Sequence, residues 1–468
     1  GVSLAAASMR PRTVAVLPCT NWSKDPAEQY FSDGLTEELT GALAKVRALR
    51  VAARTSTFAV KKGDRDVRQV GRALGVSAVL ECSVRRAGDR VRVTAELINT
   101  ADGFHQWAES YERDGTDIFA IQSELALRIA AGLSAELTPR ERDRLARRPT
   151  ASPAAHDLYL KGRYFWNQRS AAGFERAIEY YRRAIASDSE YAEAYAGLAA
   201  AYSMQPFVGE LTPAEALEQT RVNALKALEL DADLAEAHTV LAGYYHAHVW
   251  NSEAAEREHL RALELDPNYS IGHLWYANFL VSMRRFDEAI AHRRKALELD
   301  PLSPQMDLML GSTLLAAGQH RDALAHLRDA VELDSMYWLG QATLGEYYEA
   351  TGHMAEAIRF HRRAVGLTPR NPSAKAGLAR ALAVAGRKEE ARAILHDLET
   401  EAHRNAIYAP PVATVLDALN DRTGALAWLE RSYEQRHPAL RFMDGPRFAR
   451  LAADPLFRDL RRRVGLPP

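Results

Sequence analysis

The sequence predicts a small α/β domain of order β-α-β-α-β-β-β-α, followed by an all-α, right-handed superhelical solenoid of paired helices. Three observations predict it. Leu-Glu-Leu-Asp closes at Asp266 and at Asp300, Val-Glu-Leu-Asp closes at Asp334, and Thr368 stands where a fourth copy would close, each 34 residues after the last. A constant period of about 34 residues marks stacked supersecondary units rather than one closed core. Small residues keep the same interval, at Gly311 and Gly345, at Ala289, Ala323, Ala357 and Ala391, and at Ala296, Ala330 and Ala364. Before about residue 140 no such repeat exists, and short strand-like runs alternate with helix-like ones.

In the first domain, Thr13-Val-Ala-Val-Leu-Pro18 is a continuous apolar run, the pattern of a buried strand. Asp25-Pro26-Ala27-Glu28 reads as a helix start, with Asp25 as cap, Pro26 in the first turn and Glu28 reaching back in a capping box. Phe31, Leu35, Leu39 and Leu43 then recur every fourth residue on one face. Residues 49–53 are a second strand, and residues 67–74 a short helix stopped by Gly75. Strands at 78–86 and 90–99 turn at Ala87-Gly88-Asp89, with Val91, Val93, Ala95 and Leu97 alternating inward. A strand at 104–112 and a helix at 117–136, carrying Ile118, Leu125, Ile129 and Leu133 with Gln122 as a polar break, close the unit. The order implies crossovers first and then a meander.

The loop 19–24 has no glycine with which to wrap amides around a phosphate. The carboxylates of Asp33, Glu37 and Glu38 read as helix-dipole partners, and His105 as a hydrogen-bonded structural residue. Neither pattern is catalytic. Val14-Ala-Val-Leu-Pro18, Phe31-Ser-Asp-Gly-Leu35, Leu74-Gly-Val76, Val79-Leu-Glu81, Trp107, Tyr111-Glu-Arg113 and Ile118-Phe-Ala-Ile-Gln122 resemble the TolB-like amino-terminal domain over about residues 12–137. That resemblance implies the α/β fold and a place in front of helical repeats in bacterial signalling proteins. Some such proteins carry receptor-type Ser/Thr kinases, class III adenylate cyclases or winged-helix regulators. It implies no catalytic residues. It also implies an extracytoplasmic or periplasmic location, with the cytoplasm as the alternative. The family usually has an aromatic residue at Cys19 and glycine at Cys82, the two cysteines of the chain. If the first and third strands are neighbours, this pair is either a disulfide, which implies an oxidising compartment, or two small buried thiols.

Domain bounds follow as 10–138 for the α/β domain, 139–153 for an Arg- and Pro-rich linker, 154–438 for about eight helix pairs, and 439–468 for a capping segment. The longer second unit is read as carrying an insertion at 205–212. Pro267, Pro301 and Pro369 stand just past second-helix ends. The small-residue pattern and the period resemble the tetratricopeptide repeat (TPR). This implies that first helices line a concave face, with His246, Ile271, Leu274, Asn278, Leu308, Ser312, Glu346, Glu349 and Arg380 facing a protein or peptide partner. Lys, Asn and Arg do not fall at successive groove positions, so a terminal-carboxylate clamp is not expected.

Net charge is −1, which excludes a global field for nucleic acid. No run approaches the ~20 apolar residues of a membrane span. Fourteen of fifteen histidines follow residue 150, but His246, His248 and His259 lack the spacing of a zinc site. No cofactor, metal or enzyme signature is expected. The chain opens on Gly1, consistent with a processed or appended end over residues 1–8 or a start at Met9. The function expected is a non-enzymatic interaction or sensory scaffold. The alternatives are the regulatory part of a kinase or cyclase whose catalytic domain lies upstream, and a small-molecule sensor using the cleft between domain and array. Assembly with a second copy stays open.

Overall fold

A computed structural model describes residues 12–23, 25–60, 66–88, 90–114, 118–208, 213–403, 405–443, 446–448 and 450–467. Residues 1–8, Met9, and the expected roles of Asp89, Asp117 and positions 209–212 lie outside them. The amino-terminal unit runs β1 (Arg12–Val16), β2 (Thr20–Asn21), α1 (Gln29–Ala44), β3 (Leu49–Val51), α2 (Arg54–Ala59), α3 (Val67–Leu74), β4 (Ala78–Ala87), β5 (Arg90–Asn99), β6 (His105–Asp114) and α4 (Ile118–Gly132). Strand order is β3-β1-β4-β5-β6, with β1 parallel to both neighbours and β4, β5 and β6 an antiparallel meander. The expected crossovers and alternation are present, and Val91, Val93, Ala95 and Leu97 are fully buried.

β2 and α2 were not legible as elements. The helix start differs too. Asp25 caps a 3₁₀ turn, accepting from Ala27 N at 2.8 Å, while Glu28 makes no capping box and instead lies 3.3 Å from Arg86. The box forms at Thr138 and Glu141, which open α5 (Pro139–Ala146). That helix lies inside the expected linker. Its Arg140 and Arg144 reach Asp233, and Arg147 reaches Asp231. The segment is therefore a docked helix, because its arginines find carboxylates on the array instead of water.

Eight helix pairs follow among the described residues. They are α6 (Pro153–Trp166) with α7 (Ala171–Ser187), α8 (Ala192–Val208) with α9 (Pro213–Leu230), α10 (Ala235–Tyr244) with α11 (Ser252–Leu265), and α12 (Ser270–Ser282) with α13 (Phe286–Leu299). Then come α14 (Pro304–Ala316) with α15 (His320–Leu333), α16 (Trp338–Ala350) with α17 (Met354–Leu367), α18 (Pro372–Val384) with α19 (Lys388–Ala402), and α20 (Ala409–Ala418) with α21 (Arg422–Glu434). The expected insertion is, over 205–208, a lengthening of α8 rather than a loop. A π-turn, Tyr245–Val249, ends α10, and α22 (Pro455–Arg463) ends the chain.

The periodic glycines have a direct packing cause. A Cβ on Gly345 would fall 2.7 Å from the His361 ring, and one on Gly377 would meet the same ring at 2.8 Å. Gly162 and Gly197 flank Tyr181 likewise, and Gly311 receives Leu327. One large second-helix side chain thus sits between its own first helix and the next. The periodic alanines from Ala289 to Ala391 are all fully buried at the same contacts.

The two units share one core. Side chains of the sheet and α1 pack continuously with Leu160, Phe174, Tyr181, Tyr191 and Leu198 of the first helix pairs. Polar contacts extend the joint along the inter-pair turns. Asn268 donates to Ala44 O and Leu49 O, Ala53 N donates to Leu299 O at 2.7 Å, and Asp300 accepts from Ser56 N at 2.9 Å. Asp188 accepts from Thr150. The acidic residues that punctuate the period thus also form a rail for the preceding unit.

Candidate functional site

Two regions gather functional side chains: the face formed by successive first helices, and the cleft between α1, α5 and the first pairs. On the first face the expected candidates divide. Leu274 and Leu308 are buried, in cores with Met306 and with Leu310 and Leu327 respectively, so neither faces a groove. These aliphatic side chains close the seam between neighbouring pairs. Ile271, Asn278 and Ser312 are half-buried, and Asn278 Oδ1 accepts from Arg293 Nη2 at 2.5 Å. Arg293 is buried without a carboxylate partner among the described residues, and burial pulls its guanidinium down to about 9.

The chain itself engages the rest, His246 and Glu346 through its carboxy-terminal segment and Glu349 and Arg380 through each other. His246 is buried, 2.9 Å from Ser282 Oγ, with the Phe442 ring set against it. Arg447 lies 2.6 Å from Glu346; burial raises that carboxyl, but the guanidinium outweighs it and holds it below the ordinary range. Glu349 pairs with Arg380 at 2.8 Å, both nearly buried. Arg441, fully buried, donates to Val464 O and to Ser252 Oγ. Trp250 stacks on Tyr433. The segment expected as a polar cap covers α20 and α21 through Leu440, Met443, Phe448 and Phe457, and also crosses back to the third pair.

The histidines serve packing and inter-helix hydrogen bonds. His238 pairs with Glu258, His273 with His292, and His326 with Asp307 at 2.9 Å, all at equivalent steps of the array. Asp329 joins the last pair, its ligand atom within 4.8 Å of theirs. His259 is buried, which pushes its imidazole down to about 3, and His248 falls to about 4 for the same reason. His105 is largely exposed, with Nδ1 3.3 Å from Glu96 of the neighbouring strand.

In the cleft, Arg163 bridges Glu37 and Glu236, the latter at 2.8 Å, while Asn167 donates to Glu37 Oε2 at 2.8 Å. Burial raises the Glu37 carboxyl, yet Arg163 and Arg54 outweigh it and leave it below the ordinary range. Glu38 lies 2.7 Å from His156 Nε2 and accepts from Gln122. Glu37 and Glu38 are thus inter-unit partners rather than dipole partners, since α1 begins at Gln29 and they stand in its middle. Around them lies a cavity of about 370 Å³, also lined by Lys45, Tyr159, Tyr191, Glu193, Asp266 and Tyr269. Cys19, in the link between β1 and β2, and Cys82 of β4 form a disulfide, Cα atoms 4.6 Å apart.

Asp266 is 8 % exposed, and burial pushes its carboxyl up to about 6. The folded state then holds a proton more tightly than the unfolded chain, whose Asp titrates near 3.9. The penalty is absent below about pH 4, grows between the two values and is complete above about pH 6. Asp266→Asn is therefore expected to raise unfolding free energy by about 2–3 kcal/mol at pH 8 and by almost nothing at pH 4. Urea unfolding at both values checks it, and an equal gain at both would refute the account.

With this geometry in place, comparison with known proteins adds the following. Residues 328–443 match the family model described as "Tetratricopeptide repeat". That stretch, from within α15 to the segment after α21, is a TPR region. A curated relative, "Putative adenylate cyclase 3" of Rhizobium meliloti (strain 1021), is 37% identical over 249 residues, which is 53% of this chain and 42% of the relative. The chain thus spans about two fifths of the length of that relative. Among solved structures, Pseudomonas aeruginosa PilF matches with a TM-score of 0.37 and 20% identity, covering 47% of this chain and 96% of PilF. YrrB, titled a TPR protein with an unusual peptide-binding site, matches with a TM-score of 0.30 and 20% identity, over 41% of this chain and 93% of YrrB.

Of the residues placed in these two regions, sequence reasoning missed Arg163, His156, Lys45, Glu193 and Asp266 as a group. Only Asp266 carried a signal, as the punctuation of the TPR period.

Proposed function

We propose that this chain is a non-catalytic regulatory module, a TolB-like α/β domain seated on a TPR array that binds a protein or peptide partner in a bacterial signalling assembly. One observation supports it most. Ile271, Asn278 and Ser312 stay half-exposed on first helices while His246, Glu349 and Arg380 are sealed by the chain itself. A mixed aliphatic and polar strip of that kind suits an extended peptide. Selection of displayed short peptides against the folded chain tests it. The expected result is enriched peptides that lose about tenfold in affinity or more against Ile271→Glu/Ser312→Glu, a loss of at least 1.4 kcal/mol. No enrichment, or binding indifferent to the variant, would remove the strip as a partner site.

A second reading is favoured by the 37% identity to the cyclase-named relative. In it, the module regulates a class III adenylate cyclase domain elsewhere in the same polypeptide. Cyclic AMP formation from ATP by the product of the whole native gene is then expected, at a rate that changes several-fold when Arg163 is replaced by Ala. A product that forms no cyclic AMP would rule this reading out and leave the first intact.

A further inference from the structure

Adjoining the cleft, and sharing Lys45, Glu141, Arg144 and Leu265 with its cavity, the end of α1, the start of α5 and α11 enclose a cup of about 240 Å³. Lys45, Arg47, Arg140, Arg144 and Arg261 line it. Three of these cations converge on one carboxylate: Arg140, Arg144 and Arg261 stand 2.5, 3.0 and 2.8 Å from Asp233. Glu264 takes a second contact from Arg261 at 2.7 Å. Glu141 is engaged by backbone amides, accepting from Arg47 N and Thr138 N at 2.8 Å each. Lys45 and the Arg47 guanidinium form no ion pair among the described residues. Of the cup's own lining, the five cations face the carboxylates of Glu264 and Glu141. Asp233, held by three of those cations, lines the adjoining cavity, where Lys45 also acts on Asp266 and Glu193. The cup itself is thus lined by more positive than negative charge.

We propose that this cup binds a small multivalent phosphate of about diphosphate size, held between the α/β domain and the third TPR unit. Several guanidinium forks and an ammonium arriving from three elements match an anion with many oxygens better than a single carboxylate. The volume exceeds that of one phosphate group. No aromatic side chain lines the cup to stack a base, so phosphate charge, rather than a nucleoside, is what it reads. A ligand here touches both units and favours their docked state. Being exposed at Lys45, Arg47 and Arg140, the site is screened by salt.

Titration calorimetry on the whole chain at low ionic strength tests the proposal, with sodium pyrophosphate, ATP and succinate as probes. Pyrophosphate is expected to bind in the micromolar range, ATP no more tightly, and succinate at least about tenfold more weakly. Lys45→Gln/Arg47→Gln is expected to weaken pyrophosphate by about tenfold or more while moving the unfolding midpoint little, since both side chains are exposed and form no ion pair among the described residues. Glu264→Gln is expected to tighten binding a few-fold, a gain that removes no cation. Absence of pyrophosphate binding, succinate binding as tightly, a clear preference for ATP, or indifference to both variants would each overturn it.

Discussion

Arg163→Ala is expected to destabilise the chain by about 3–5 kcal/mol, the cost of stranding buried charges once their partner is gone. Among the described residues, Arg163 is the one cation that touches both Glu37 of α1 and Glu236 at the start of α10. Its guanidinium, lowered by burial but raised more strongly by Glu236 and Glu37, stays charged throughout the accessible pH range. Glu37 supplies the pH dependence. Its folded pKa lies below the unfolded value near 4.3, so its contribution is complete above that value and is lost as pH falls through the folded one. Arg163→Lys does not restore the arrangement, because one ammonium lacks the fork needed to reach two carboxylates at once. Urea unfolding at pH 7, with proteolysis reporting on the joint between α1 and α6, checks this. A loss below about 1 kcal/mol would mean that the shared hydrophobic core alone seats the first domain.

Reduction of the Cys19–Cys82 bond is expected to cost about 4 kcal/mol in the chain-entropy treatment, given its sequence separation of 63 residues. The double variant Cys19→Ser/Cys82→Ser should match the reduced protein. Unfolding midpoints with and without reductant decide it, with alkylation of the denatured, unreduced chain as the control. Both sulfurs should escape the label; labelled sulfurs and unchanged midpoints would show two thiols instead. The bond ties the link between β1 and β2 to β4, the strand at the middle of the sheet, so its loss should be felt by the whole amino-terminal unit.

What was legible in the sequence was periodic. Gly311, Ala323 and Ala330 announce helix pairs because every pair solves the same packing problem, and Val91 to Leu97 announce a half-buried strand because alternation is local. Neither signal says which unit lies against which. Glu37 looked like a dipole partner because its neighbours in sequence are helical; its real partner, Arg163, is more than a hundred residues away. The run from Arg140 to Arg147 read as a linker because its own Glu141 and Asp143 point to no distant partner, whereas Asp231 and Asp233 wait on the turn before α10. Leu274 and Leu308 carry the right spacing for a groove, but a spacing fixes only the side of a helix and not how deeply the next helix covers it. Glu349 and Arg380 were listable on the right face, yet their mutual pairing depends on adjacent units whose relative tilt no local pattern records.

A stack of repeats held only by nearest neighbours behaves like a loose spring and comes apart piecemeal from its free ends. Among the described residues, both ends of this array are tied down. Its first pairs are sewn, through the turns at Asp188, Asp233, Asn268 and Asp300, to the amino-terminal unit and to the segment that follows it, and its last stretch is stitched back onto the third pair by Arg441 and Trp250. Fraying of either terminus must first break contacts with the middle of the coil. The spring is thereby turned into a buckled belt, which should let go all at once rather than unwind turn by turn.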